Sequence, residues 1–253
     1  MIRFEKVQKS LGGRQVLDGV DFDIQQGETF VIVGPSGVGK SVTLKHMVRL
    51  MTPDQGKVWV GDTCVSEARG DDLRRIRERF GYLFQGGALL AWLNLAENVA
   101  LPLRENTDAS EDEIQERVHR VLEMVGLQAD ANKQPSEISG GMRKRAGLAR
   151  AIVGKPEIVL YDEPTSGLDP VTARTIDTLI EQMRRDMGIT SVVVTHDMHS
   201  ALSIGTRIAM LHDGRIVELA DPDRFVQSEQ PEVKAFLEAQ YITRTGGWER
   251  KSE

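Results

Sequence analysis

A glycine-rich segment of the sequence has the residue types and spacing of a phosphate-binding loop. It matches the pattern G-x-x-x-x-G-K-S and consists of Gly34, Pro35, Ser36, Gly37, Val38, Gly39, Lys40 and Ser41. Glycines allow backbone N–H groups to point at phosphate oxygens, and the N-terminus of a following helix adds the positive end of its dipole. Lys40 would contact the β- and γ-phosphates of a nucleotide, and the Ser41 hydroxyl would bind Mg²⁺. The alternative is a glycine-rich turn that binds nothing.

Two acidic residues end an apolar run further along the chain. Asp162 and Glu163 follow Ile158–Tyr161, which has the composition of a buried strand. The carboxyl ends of parallel strands face the ligand crevice, and adjacent side chains of a strand point in different directions. Asp162 is therefore predicted to hold Mg²⁺, and Glu163 to polarise an attacking water. A solvated acidic turn is the alternative.

The elements that must position these residues follow an α/β pattern. Thr29–Val33 is a continuous apolar and β-branched run, typical of a strand buried on both faces, and a helical pattern follows the loop as far as Met51. The spacing predicts further strands over 16–24, 58–60, 81–84 and 191–195, a helix over 171–187, and a hairpin over 208–219 with an Asp-Gly turn. A parallel sheet with covering helices is expected.

The middle of the chain is predicted to be helical. From about Ala88 to Arg150 the apolar residues recur at helical spacing. Ser110 and Glu113 form a capping box, and Gly126 is placed to end the helix that begins there. This stretch is interpreted as a helical lobe inserted between strands.

Composition narrows the class of protein. The 253 residues are 40% hydrophobic and 28% charged, which excludes a disordered chain, a collagen-like chain and a disulfide scaffold. The net charge of −6 disfavours nucleic-acid binding, and the single cysteine, Cys64, fits a reducing compartment. No run of about 18 apolar residues is present, so the chain is not expected to cross a membrane by itself.

A third motif completes a resemblance to a known family. Ser139-Gly140-Gly141 stands between the phosphate-binding loop and Asp162, and a helical run follows it. With the loop and the acidic strand end, this order resembles the ATP-binding-cassette (ABC) ATPases over residues 1–220. The resemblance implies a P-loop NTPase fold: a RecA-like core with a parallel sheet and an antiparallel β subdomain (1–87 and 151–220), an inserted α-helical subdomain (88–150) and a C-terminal tail (221–253).

The resemblance also implies roles for individual residues. Ser139, Gly140 and Gly141 would bind the γ-phosphate of ATP held by a second copy. Gln85 would contact Mg²⁺ and the attacking water, and His196 would contact the γ-phosphate. Leu11 stands where the family usually has an aromatic residue stacked on adenine, and Met142 where it commonly has glutamine. Ser166-Gly167-Leu168-Asp169 matches the loop that pairs across the dimer. ATP and Mg²⁺, a homodimer and an integral-membrane permease are implied.

Two segments resemble one subgroup of the family. Phe84–Leu90 and Ile138–Arg145 are similar to those of the ATPase of the maintenance-of-lipid-asymmetry (MCE) lipid transporters. That likeness implies phospholipid or other hydrophobic cargo, an MCE-type substrate-binding protein, a small accessory protein, and a peripheral location on the cytoplasmic face of the inner membrane. The alternatives are an amino-acid or ion importer ATPase, a soluble ABC machine, a P-loop small-molecule kinase and a nucleotide-binding module without catalysis.

Two segments keep a structural and a functional interpretation. Ala88–Leu103 is apolar and would be either core or a groove for a cytoplasmic helix of the permease. The tail from Asp221, which includes Tyr241, Trp248 and two glycines, is expected to dock on a partner copy or on an accessory protein.

Overall fold

The computed structural model describes residues 1–242. In chain order the strands are β1 (Ile2–Leu11), β2 (Arg14–Ile24), β3 (Thr29–Val33), β4 (Gln55–Val60), β5 (Thr63–Cys64), β6 (Phe80–Leu83), β7 (Ile158–Asp162), β8 (Thr190–Thr195), β9 (Arg207–His212) and β10 (Arg215–Ala220). The helices are α1 (Lys40–Met47), α2 (Gly70–Glu78), α3 (Leu95–Asn106), α4 (Glu111–Met124), α5 (Gly140–Ile152), α6 (Pro170–Met187), α7 (Met198–Ile204), α8 (Pro222–Val226) and α9 (Pro231–Glu238). Across residues 1–242, none of these helices has both the length and the apolar character that crossing a bilayer requires.

The buried apolar strands form a mostly parallel central sheet. In the described part of the chain this sheet has six strands in the order β10-β9-β3-β8-β7-β6, and only β10 runs antiparallel to its neighbour. Every residue of β3, β7 and β8 is buried, as expected for strands covered on both faces. Because these three strands are adjacent and parallel, the segments that follow them, starting at Gly34, Glu163 and His196, meet at one edge.

Alternation of side chains along the central sheet creates two core layers. Val31 and Val33 pack on one side with apolar residues of the helical region, whereas Phe30 and Ile32 pack on the other with an antiparallel sheet. Within the described residues that second sheet has four strands in the order β2-β1-β4-β5. The predicted α/β class, with a parallel core, an antiparallel β part and inserted helices, is confirmed.

The helical region begins and ends with explicit capping signals. Asn94 and Glu97 form a capping box at the start of α3, and Ser110 and Glu113 form the predicted one at the start of α4. α4 ends at Met124, two residues before Gly126, which adopts a φ of 64°. Each capping box provides partners for backbone N–H groups at its helix start, so local residues fix where α3 and α4 begin. The apolar faces of both helices pack with α5.

Two features of the fold differ from the sequence-based expectation. The helix after the phosphate-binding loop ends at Met47 and not at Met51. Arg49 adopts a left-handed φ of 51°, and the Leu50 N–H donates to the Lys45 carbonyl at 2.9 Å, which closes the helix end. Strand β1 was not anticipated, because its charged residues obscure the buried positions that pair with β2 and β4.

The described part of the C-terminal tail belongs to the fold of its own chain. Phe225, Val233 and Leu237, on α8 and α9, are buried in the same core layer as the helical region. The Gln240 side chain accepts a hydrogen bond from the Met198 N–H at 2.9 Å and donates one to the His196 carbonyl at 2.9 Å. Through Ile242, the tail therefore packs on its own copy. Trp248 and the two glycines before it lie outside the described residues.

Candidate active site

The loop between β3 and α1 requires glycine at its two ends. Gly34 has a φ of 150°, and a Cβ there would lie 2.3 Å from the Leu211 carbonyl oxygen. Gly39 has a φ of 110°, and its Cβ would lie 2.9 Å from a methyl group of Val16. A side chain at either position would force the loop out of place. Between these glycines, Pro35, Ser36 and Gly37 are exposed and Val38 is half-buried.

The Lys40 ammonium lies inside this loop. Its Nζ donates to the carbonyl oxygens of Gly34 at 2.8 Å and Pro35 at 3.1 Å, and it lies 3.5 Å from Glu163 Oε1. The side chain is only 6% exposed. The first turn of α1 carries no acidic residue of its own, so the helix start keeps the positive end of its dipole beside the Lys40 ammonium. This charge distribution suits a phosphate chain.

Ser41 and Asp162 meet across the sheet edge. The Ser41 hydroxyl donates to Asp162 Oδ1 at 2.7 Å. Burial raises the pKa of the Asp162 carboxyl, the Ser41 hydrogen bond opposes that rise, and the charge of Glu163 adds to it. A hydroxyl and a carboxylate oxygen are ligand types that Mg²⁺ prefers, and a divalent cation would offset the cost of a buried charge beside a second acid. These residues fit the predicted magnesium site.

Glu163 is held between two donors at the end of β7. Its Oε1 faces Lys40, and its Oε2 lies 2.8 Å from His196 Nδ1 and accepts from the His196 N–H at 3.4 Å. Its backbone is left-handed, with a φ of 51°, which is rare for a residue with a long side chain. The two adjacent acids therefore bind different partners, as the alternation of strand residues predicts. The role of Glu163 toward an attacking water stays a prediction.

The serine-glycine-glycine segment lies apart from this group. Ser139 is the exposed N-cap of α5, and its Oγ accepts from the Met142 N–H at 3.2 Å. Gly140 is half-buried, and Gly141 is buried. In residues 1–242 none of the three forms a hydrogen bond with Lys40 or Glu163. Apart from the capped Met142 N–H, the first-turn N–H groups of such a helix have no partner within it, and this is the arrangement that suits an anion. Binding of a γ-phosphate by this segment stays a prediction.

Two further predicted residues have no hydrogen bond to the loop in the described chain. Gln85 follows β6 with an exposed side chain, and Leu11 ends β1 with 39% of its surface exposed. Asp169, in the predicted dimer loop, caps α6 by accepting from the N–H groups of Val171 and Thr172 at 3.0 Å each. The roles of these residues toward a ligand or a second copy stay predictions.

One lysine beside the site was missed by the sequence analysis. Lys144, on α5, donates to the Glu163 carbonyl at 3.0 Å, the Ser166 carbonyl at 2.6 Å and the Ser166 hydroxyl at 3.1 Å. A signal was available: Lys144 stands three residues after Gly141 and four before Leu148, on the buried side of the helix.

A groove of about 880 Å³ lies between α2, β6, α3 and α5. Its lining combines apolar side chains with charged ones of both signs, including Leu73, Arg77, Glu78, Phe84, Leu101 and Arg150. The segment 88–103 is partly core and partly groove lining: Leu95, Val99 and Leu103 are core residues, whereas Ala88, Leu101 and Pro102 line the groove. Binding of a permease helix there stays a prediction.

Comparison with protein families finds one whose profile matches the part of this chain that contains most of the predicted site residues. The sequence profile of the family described as ABC transporter matches residues 17–166. This range contains the phosphate-binding loop, the serine-glycine-glycine segment and both acids at the end of β7.

Similar curated proteins are ATP-binding proteins of transport systems. The "probable ribonucleotide transport ATP-binding protein mkl" of Mycobacterium leprae is 41% identical over 252 residues, covering 100% of this chain and 73% of that protein. The "methionine import ATP-binding protein MetN" of Xanthomonas euvesicatoria is 41% identical over 222 residues, covering 86% and 66%. The "intermembrane phospholipid transport system ATP-binding protein MlaF" of Haemophilus influenzae is 34% identical over 240 residues, covering 95% and 91%.

A solved structure supports the fold assignment. The dimeric, post-hydrolysis structure of the ATP-binding cassette MJ0796, bound to ADP and Pi, is similar with a TM-score of 0.81 and 34% identity, covering 88% of this chain and 99% of that one. The likeness confirms the predicted P-loop NTPase fold class.

Proposed function

Because the chain belongs to the ABC transporter family, as an ATP-binding subunit that hydrolyses ATP with Mg²⁺, we propose that two copies bind ATP between them. One copy supplies the loop 34–41 with Leu11 near the base, and Gln85, Asp162, Glu163 and His196 at the phosphates. The other supplies Ser139, Gly140 and Gly141. The observation that carries the one-copy half of this proposal is the convergence of Lys40 and His196 on the two Glu163 oxygens beside the Ser41–Asp162 pair. The second copy is inferred from the likeness to a solved cassette that is dimeric.

The proposed chemistry needs positioning and charge stabilisation, with no covalent intermediate on the protein. A water oxygen bonds to the γ-phosphorus while the bond from that phosphorus to the bridging oxygen of ADP breaks. Glu163 accepts the proton of this water, and His196 keeps its carboxylate oriented. Lys40 offsets the charge on the phosphate oxygens. Mg²⁺, held through Ser41, Asp162 and Gln85, would supply further charge neutralisation.

The dimer explains how hydrolysis could drive transport. A single copy leaves the γ-phosphate without the Ser139 hydroxyl and the α5 N–H groups, so ATP favours the closed pair. Loss of phosphate removes the shared anion, and the pair opens. ATP binds the closed dimer more tightly than the open one, and this difference in affinity supplies the free energy for the conformational change.

Glu163→Gln tests this scheme. The amide keeps the shape of the side chain but cannot accept the proton, so we expect ATP binding to persist and turnover to fall by about 10²-fold or more. The variant should accumulate as an ATP-bound dimer, measured by light scattering with Mg²⁺ and ATP. Adding Ser139→Ala should weaken that dimer. A Glu163→Gln chain that stays monomeric and still hydrolyses ATP would contradict the composite site.

We further propose a hydrophobic, phospholipid-like cargo, moved by a partner permease. Two observations favour it: the subgroup resemblance of Phe84–Leu90 and Ile138–Arg145, and the similarity to MlaF along 95% of this chain and 91% of that protein. The groove beside α3 would bind a cytoplasmic helix of the permease. An MCE-type substrate-binding protein and a small accessory protein complete the proposed assembly, with this subunit on the cytoplasmic face of the inner membrane.

A methionine importer is the second candidate. The similarity to MetN is 41% in identity, higher than to MlaF, although it spans only 66% of that protein. Either cargo leaves the proposed division into core (1–87 and 151–220), helical subdomain (88–150) and tail (221–253) unchanged.

Reconstitution separates the two cargoes. The permease that co-purifies with this chain is identified and placed with it in phospholipid vesicles. ATP-dependent transfer of a fluorescent phospholipid is expected, and it should be absent with Glu163→Gln. ATP-dependent methionine uptake without lipid transfer would replace the lipid proposal and leave the dimer proposal intact.

A further inference from the structure

The Lys144 ammonium is bound entirely by oxygens of the loop that carries Glu163. Its three donors reach the Glu163 carbonyl, the Ser166 carbonyl and the Ser166 hydroxyl at 3.0, 2.6 and 3.1 Å. The Ser166 hydroxyl in turn donates to the Glu163 carbonyl at 3.0 Å. An ammonium has three donors, so this small network satisfies all of them.

Lys144 is an unusual residue for this position. It is 6% exposed, and no carboxylate accepts from it in residues 1–242. Burial lowers the pKa of Lys144 to about 8, and the charge of Glu163 opposes that change. Burying a charge without a paired acid costs free energy of folding. We therefore expect Lys144 to have a role other than stabilising the fold.

The Glu163 peptide is the part of the loop that needs support. Its left-handed φ of 51° is a strained conformation for a residue with a Cβ, and such strain persists only where surrounding contacts hold it. The Lys144 and Ser166 hydrogen bonds act on the carbonyl of this same residue. They fix the peptide from which the Glu163 side chain extends toward Lys40 and His196.

The same lysine connects the start of α5, which is proposed to bind nucleotide, with the loop that carries Glu163, which is proposed to hydrolyse it. Ser139 begins α5, and Lys144 follows it within the second turn of that helix. Gly141 packs so tightly on α6 that a Cβ would lie 2.5 Å from Thr172 Cγ2. A displacement of α5 would therefore be transmitted to the Glu163 loop of the same copy.

We propose that Lys144 is a positioning residue for hydrolysis, holding Glu163 in its left-handed conformation and linking the start of α5 to the hydrolytic loop of its own copy. This inference rests on the proposed function, in which the start of α5 binds the nucleotide of the partner copy. ATP bound at one nucleotide site would contact the start of α5 and, through Lys144, affect the position of Glu163 at the other site.

The first test uses homodimers of the full chain. Lys144→Met keeps length and removes the donors, and we expect kcat for ATP to fall at least tenfold while KM stays within twofold. Lys144→Gln, whose amide has two donors, should recover part of the loss. Arg145→Met is the matched control, because that side chain lies on the same helix and donates to the Val125 and Gly126 carbonyls, away from the loop. Its kcat should exceed that of Lys144→Met by at least fivefold.

The second test asks which copy's Glu163 depends on Lys144. Mixed dimers carry Lys144→Met and Glu163→Gln either in the same copy or in opposite copies. With both in one copy, the remaining Glu163 keeps its own Lys144, and single-turnover hydrolysis should match a wild-type and Glu163→Gln mixed dimer. With the changes in opposite copies, the remaining Glu163 lacks its lysine, and hydrolysis should be at least tenfold slower.

The outcomes separate the two proposals. An unchanged kcat in Lys144→Met, or equal rates in the two mixed dimers, overturns the role of Lys144 in its own copy. The reverse order of rates would show that Lys144 serves the partner's site through Ser139 and also overturns it. If wild-type chains hydrolyse ATP but Glu163→Gln never dimerises, the composite site fails instead.

Discussion

At the scale of single residues, the site depends on how buried ionisable groups are partnered. Asp162 and Glu163 are adjacent in sequence, yet one accepts from Ser41 and the other lies between Lys40 and His196. Each arrangement offsets part of the cost of burying a carboxylate. Separation of the two acids into different partnerships is what allows the proposed division between metal binding and proton transfer.

Asp177 is a buried acid of a different kind. Its Oδ1 accepts from the Ser200 hydroxyl at 2.5 Å, joining α6 to α7, and among residues 1–242 it has no ion pair. Burial raises the pKa of Asp177 to about 6, an effect that the Ser200 hydrogen bond opposes and the charge of Asp197 increases. The folded-state pKa of Asp177 lies above the unfolded value, so the fold favours the protonated carboxyl. The contribution of this group to stability therefore falls as the pH rises, and it is lowest once the pH has passed about 6.

Asp177→Asn should therefore stabilise the protein at neutral pH, with an effect that depends on pH. The amide oxygen can still accept from Ser200, and no charge is buried. We expect a gain of about 2–3 kcal/mol at pH 8, shrinking toward zero near pH 4, in the free energy of unfolding from denaturant titrations. Asp186→Asn, at an exposed position of the same helix, is the control and should change stability by under about 0.5 kcal/mol. A gain independent of pH would contradict this account.

At the scale of elements, α5 is the helix that touches most parts of the proposed machinery. Its start carries Ser139, and its buried side holds the Glu163 loop through Lys144. Further along, Gly147 packs against Gly87, and Arg150 donates to the carbonyls of Gly87 and Ala88 at 2.8 and 2.7 Å. The residues that follow Gln85 and the rim of the groove are thus fixed to the same helix.

Gly141→Ala tests how tightly α5 is seated. The new Cβ would lie 2.5 Å from Thr172 Cγ2, and Thr172 cannot rotate freely because its hydroxyl donates to Asp169 at 2.6 Å. We expect a loss of about 1–3 kcal/mol in the free energy of unfolding. Thr172→Ser removes the clashing methyl group and should restore part of it in the double variant.

Gly140→Ala is the matched control for that substitution. Within the described part of the chain, its Cβ would meet only the Arg143 guanidinium, at an ordinary 3.7 Å, and alanine favours a helix more than glycine does. Stability should stay the same or rise slightly. An equal loss in Gly140→Ala and Gly141→Ala would show that packing against Thr172 is not the cause.

At the scale of the whole molecule, the described tail closes the core and is not an appendage. α8 and α9 cover the layer to which the helical region also contributes, with Phe225 fully buried. Burial of a large aromatic side chain accounts for much of the stability of a small core layer. The tail also reaches the site, since Gln240 bonds the backbone on either side of Asp197, next to His196.

Phe225→Ala should cost about 3–5 kcal/mol in the free energy of unfolding, because it leaves a cavity in that layer. Tyr241→Ala, an aromatic deletion at a position 92% exposed, should cost under about 0.5 kcal/mol. Thermal and denaturant unfolding of both variants measure the difference. Similar small effects from both would mean that α8 does not contribute to the cooperative fold.

Much of this molecule follows from its sequence because the responsible signals are local. The phosphate-binding loop, the capping box at Ser110, the buried runs that become β3, β7 and β8, and the Asp213-Gly214 hairpin turn each depend on residues close together in the chain. Local sterics and hydrogen bonds decide such features. The end of α1 and the existence of β1 were missed, because they depend on a left-handed Arg49 and on pairing with distant strands.

The sequence by itself determined which residues are candidates for binding phosphate, metal and water, and that a helical region interrupts an α/β core. Only the tertiary structure decided how those residues are partnered. The order of β3, β8 and β7 in the sheet brings Lys40, Asp162, Glu163 and His196 to one edge, and the packing of α5 places Lys144 on the Glu163 carbonyl. These contacts join positions far apart in the chain, and long-range packing has no local pattern from which it can be predicted.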